Sequence, residues 1–83
     1  MIEFRAAYRH WDNSVEGFKG TGFTAESARQ DCLNQINRKL QIIAQARGVE
    51  IFFEHSCLIE NKDTLTAAEL ELVQTDWGCN TRY

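Results

Sequence analysis

Several features that usually point to a function are missing from this chain. It holds only three Cys in 83 residues, Cys32, Cys57 and Cys79. That is too few for a disulfide scaffold, and the odd count predicts free thiols in a reducing, cytoplasmic setting. No stretch approaches the ~18 consecutive apolar residues of a membrane span. The first ten residues interleave Glu3, Arg5 and Arg9 with apolar positions, so a secretory signal is not expected there. Repeats, low-complexity tracts and linkers are absent. There is no paired C-x₂-C or H-x₃-H spacing, which removes the usual zinc signatures.

Hydrophobic residues at 43% and charged residues at 25% are ordinary for a globular protein. Surface scaling at this length lets roughly 63% of the chain's surface be buried, enough for one modest core. A single domain over residues 1–83 is expected. The net charge of −3 hides a split: seven Lys/Arg face five Asp/Glu in residues 1–47, against two and seven in residues 48–83. Such polarity influences partner choice more than fold.

Ile2, Phe4, Ala6, Tyr8 and His10 alternate with Glu3, Arg5, Ala7, Arg9 and Trp11, the period of a half-buried strand. Asp12-Asn13 suits a tight turn, and setting Trp11 opposite Ser14 pairs Arg9 with Glu16 and Ala7 with Phe18. In that register Lys19 lands beside Ala6, so a bulge among Gly17, Gly20 and Gly22 is expected to turn it outward. Thr24 reads as an N-cap and Gly48 as a C′ stop for a helix over residues 25–47. Its apolar stripe runs through Ala25, Ala28, Cys32, Ile36, Leu40 and Ile43. Residues 49–59 alternate again and predict a third strand. Residues 66–69 spell a capping box, although Leu70, Leu72 and Gln74 also fit a strand.

These elements predict an α+β fold: a small antiparallel sheet in the order 2-1-3, built from the hairpin and the third strand. The long helix covers one face, and a short C-terminal helix or strand follows.

Four places invite a functional reading. The sheet's outer face would present Arg5, Arg9, Trp11, Phe18 and Phe52, where aromatic rings could stack bases and Arg meet phosphates. Glu3, Glu16, Glu50 and Glu54 share that face and weaken its pull on phosphate. The C-terminal acids Glu60, Asp63, Glu69, Glu71 and Asp76 form an acidic surface suited to a basic protein. An amide-rich band, Gln30, Asn34, Asn37, Gln41 and Gln45, lies along the helix's outward side. Gly17-Phe18-Lys19-Gly20-Thr21-Gly22 lacks P-loop spacing, because its Lys precedes the last two glycines.

His10, His55 and Cys57 are read as buried strand residues and Cys79 as part of an irregular tail; none is read as a metal ligand or a nucleophile pair, since no orienting third group accompanies them. No catalytic residue, metal or cofactor is expected. The resulting expectation is a non-enzymatic, cytoplasmic module that binds another protein. By analogy of size and composition alone, it would be an accessory or inhibitory protein of the kind phage and mobile elements carry. Single-stranded nucleic-acid binding and a structural homodimer are the alternatives.

Overall fold

A computed structural model describes residues 1–77. β1 (Ile2–Arg9) and β2 (Val15–Gly22) form an antiparallel hairpin, followed by α1 (Ala25–Arg47), a 3₁₀ turn at His55–Cys57 and the two-residue β3 (Leu58–Ile59). A second 3₁₀ turn (Lys62–Thr64) leads into α2 (Ala67–Asp76). The sheet order is β2-β1-β3, with β3 antiparallel to β1. This is the α+β arrangement that the periodicities predict.

α1 has the predicted bounds because both ends are closed locally. The Thr24 and Ser27 side chains satisfy each other's backbone N–H groups in a capping box. At the other end Gly48 takes φ 70°, and its N–H donates to Gln45 O while Val49 N–H donates to Ala44 O. That is a Schellman stop. Ala28, Cys32, Ile36 and Leu40 turn inward; the last three meet Ala6, Tyr8 and Phe18, with Phe4, Ile51 and Phe53 packed around them.

The hairpin register differs from the expected one by a single residue. His10 pairs with Ser14 across a three-residue loop, and Asn13 sits at φ 73°. A turn ending in one left-handed residue is the next commonest hairpin closure after the two-residue turn. Sliding a strand by one residue exchanges its two faces. Phe18 therefore opposes Ala6 and enters the α1 core, 7% exposed, instead of lying on the outer face. Arg9 opposes Val15, so the expected Arg9–Glu16 pair does not form. Lys19 opposes Arg5, and its ammonium lies 3.7 Å from the Glu3 carboxylate. β2 pairs without interruption, so the expected bulge is absent.

The glycines serve helix approach instead. A Cβ on Gly20 would collide with the backbone of Ala28 and Cys32, and one on Gly17 would come within 2.8 Å of Val73 O. Both helices thus lie directly on β2, on opposite faces.

The third strand shrinks to Leu58–Ile59, paired with Tyr8 and Ala7. Residues 50–54 adopt no regular structure, yet Ile51 and Phe53 still reach the core. Their alternation is real, but it serves burial without a ladder. Tyr8 closes this segment, since its hydroxyl accepts from Glu54 N–H at 2.9 Å. Burial pushes the Tyr8 phenol above its ordinary pKa, against the lowering effect of that bond.

Residues 67–76 form a helix, with Thr66 and Glu69 completing the capping box. α2 covers the outer face: Val73 and Trp77 pack on Ala7, and Trp77 Nε1 donates to Ala6 O at 3.0 Å. The sheet is sandwiched. Among the described residues no helix is long and apolar enough to cross a membrane.

Candidate binding site

α2 redistributes the residues expected on an open sheet face. Arg9 donates to Glu69 Oε2 at 3.1 Å and to Asn13 O at 3.1 Å. Hydrogen bonding from Arg9 holds the Glu69 carboxyl below its usual range. Arg5 pairs with Glu3 at 2.9 Å and stands 6.0 Å from the Trp77 ring. The surface proposed to hold a single strand is thus occupied by a helix, with its two arginines paired to carboxylates.

The expected acidic surface is divided as well. Glu60 lies 3.3 Å from Arg29, so two pairs (Arg9–Glu69 and Arg29–Glu60) join the basic front of the chain to its acidic back. Asp76 accepts from Gly17 N–H at 2.9 Å. Along the same edge of β2, Asp31 accepts from Thr21 N–H at 2.9 Å and Gln35 donates to Lys19 O at 2.8 Å. Side chains from both helices therefore cap the outward backbone groups of an edge strand, which would otherwise invite another strand. Asp76 is an edge cap. Asp63 and Glu71 remain exposed.

Two concave regions gather what is left. Arg5, Glu60 and Asp63 meet at a cleft of about 410 Å³ floored by Ala7, Ile59, Leu65 and Trp77. The second region is at the opposite end, where α1 finishes beside the hairpin tip. Trp11 and Phe52 stand there 57% and 73% exposed, beside the exposed Val49. The Arg47 guanidinium lies 4.2 Å from the centre of the Trp11 ring, a cation–π contact. A groove of about 610 Å³ runs between α1 and residues 48–53. Its floor includes Leu40, Ala44 and Ile51, and its rim carries the amides of Asn37, Gln41 and Gln45.

Beside that groove is a smaller cavity of about 110 Å³, lined among others by Tyr8, His10, Trp11, Leu40, Ile51 and Phe52. His10 is the one buried polar residue among those described, and Nε2 lies 3.0 Å from Glu16 Oε1. Glu16 also reaches Lys39 at 3.6 Å. The His10 Nδ1 atom is buried with no partner. Its significance was missed at the sequence level, because only the three-residue turn brings Glu16 within reach.

His55 stacks edge-on against Phe53, and Cys57 is half-buried. Cys32 is fully buried, and burial pushes its thiol up to about 11. A thiol so raised is a weak nucleophile. Among the described residues no group of three or more His, Cys, Asp or Glu is placed to hold a metal ion. Cys79 lies outside the described residues. The chain matches no protein-family model, no curated protein and no solved structure, so a functional reading has only this geometry to stand on.

Proposed function

We propose that the protein is a non-enzymatic module that binds another protein, with its docking surface at the end formed by the hairpin tip and the C-terminal part of α1. The observation that carries this reading is Phe52, 73% exposed beside a groove whose floor is apolar. Exposed aromatic residues flanking a concave apolar surface have the composition of an interface core, and the amides of Asn37, Gln41 and Gln45 supply a neutral polar rim. Single-strand binding through the sheet is the weaker reading, because α2 occupies that face and Arg9 is tied to Glu69.

A photo-cross-linking side chain at position 52, compared with one at the exposed position 34 on the helix's outward side, tests the reading in the native host. A protein adduct formed at 52 and not at 34, and lost on Trp11→Ser, is the expected result. Equal labelling from both positions, or an oligonucleotide shift at low salt without any protein adduct, would defeat it.

A further inference from the structure

Among the described residues, none hydrogen-bonds to the backbone of Glu50, Ile51, Phe52 or Phe53. The stretch is held at its two ends: Val49 N–H donates to Ala44 O at 3.0 Å, and Glu54 N–H to the Tyr8 hydroxyl at 2.9 Å. Its side chains alternate as on a strand, with Ile51 and Phe53 packed on the core and Glu50, Phe52 and Glu54 exposed. Glu54 has extended backbone, at φ −126° and ψ 126°. The β2 edge is different, because Asp31, Gln35 and Asp76 cap its outward groups. Strand-like backbone without such caps is a template for another strand.

On the exposed side, Phe52 stands between two carboxylates. Glu50 and Glu54 have no ion-pair partner among the described residues. Glu50 is also the one charged residue among those that line the groove.

We infer, on the reading that this end of the molecule docks a protein, that residues 50–54 accept an added β-strand from that partner. The added strand carries a basic, an apolar and a second basic residue at alternate positions. Directly opposite residues of paired strands share a face, so the basic pair meets Glu50 and Glu54 and the apolar residue meets Phe52. The spacing agrees, since both strands advance about 3.3 Å per residue. The intervening side chains share the face of Ile51 and Phe53, next to the apolar Leu40 and Ala44 of the groove. A second copy of this chain is the poorer occupant. Antiparallel self-pairing centred on Phe52 sets each Glu50 against a Glu54 across the pair, and like charges directly opposite are destabilising.

The test titrates the full chain against a fluorescein-labelled peptide, Gly-Lys-Val-Leu-Val-Lys-Gly, read by anisotropy and by amide hydrogen exchange. Its palindromic core gives the same match in either strand direction. Saturable binding is expected, with exchange slowed within residues 50–53. Replacing both Lys by Glu turns two attractions into two repulsions and should weaken binding about tenfold at low salt. Glu50→Lys combined with Glu54→Lys, both on the surface, should invert that preference. N-Methylation of alternate peptide amides supplies a signature of strand pairing. One alternate set should abolish binding and the other should leave it intact. Tolerance of both sets, or binding indifferent to the charge reversal, would overturn the inference. So would protection of residues 50–53 that rises with protein concentration in the absence of peptide, which would make a second copy the occupant. If position 52 cross-links to a host protein while the peptide fails to bind, the docking surface stands and the strand addition falls. If both fail, the docking surface falls with it.

Discussion

α1 and α2 cover opposite faces of the same sheet, yet different forces hold them there. α1 buries a continuous apolar stripe, Ala28, Cys32, Ile36 and Leu40, and the last three join a cluster that includes Ala6, Tyr8 and Phe18. α2 buries Val73, and Trp77 packs beside it at the helix end. Polar fastenings complete its attachment: Trp77 to Ala6 O, Asp76 to Gly17 N–H, and Glu69 to Arg9. Apolar burial scales with area and is indifferent to protonation. Fastenings made by carboxylates depend on charge and on geometry. The α1 layer is therefore the part whose loss unfolds the protein, and the α2 layer is the conditional part.

The sharpest way to break this comparison is to damage each layer in turn. Ile36→Ala opens a cavity where nothing is solvent-exposed. It should cost about 2–5 kcal/mol in denaturant unfolding, with every probe shifting together. Next come the two glycines under the helices. Gly20→Ala meets the backbone of Ala28 and Cys32, which cannot swing aside, and should cost at least about 1–3 kcal/mol globally. Gly17→Ala presses on Val73 O and Trp77 instead. Its effect should concentrate in faster amide exchange of α2, leaving α1 protected. Equal exchange effects in both helices would show that the layers are one cooperative unit.

Trp77→Phe keeps most of the ring but strips Ala6 O of its indole donor. A loss of about 1–3 kcal/mol is expected, read by thermal melting. The smallest effect belongs to Glu69. Its folded pKa is depressed, mainly by the Arg9 hydrogen bond. Its contribution is therefore fully present above the ordinary Glu value of ~4.3 and is lost as pH falls through the folded value. Acidification over that range should release α2 ahead of α1, and Glu69→Gln should make α2 exchange less sensitive to acid.

Much of the fold is legible in the residues themselves. Thr24, Ser27 and Gly48 define the ends of α1 by local hydrogen bonding, and the alternation of residues 2–10 marks β1. The departures have two separate origins. A two-residue and a three-residue closure are both compatible with Asp12 and Asn13. The choice moves every β2 side chain to the other face, and with it Phe18, Lys19 and Glu16. Residues 49–59 alternate as a strand would, because Ile51 and Phe53 must reach the core. Alternation reports which side is buried and not whether a neighbouring backbone is there to pair.

The candidate sites were legible only as residue types. Trp11 and Phe52 do meet at one cavity, and Arg5, Glu60 and Asp63 share a cleft. Phe18, Arg9, Glu69 and Asp76 turn out to be occupied in holding the molecule together.

The scarcity of cysteine and the absence of metal-ligand spacing, together with the caps of α1 and the period of β1, were determined by the sequence alone. These are statements about composition or about neighbours within a few residues. Tertiary structure decided the hairpin register, the covering of the outer face by α2, the caps along the β2 edge and the orphaned nitrogen of His10. Each depends on contacts between residues far apart in the chain, or on a turn whose alternatives differ little in local energy. Only the packing of both helices on the same strands selects among them.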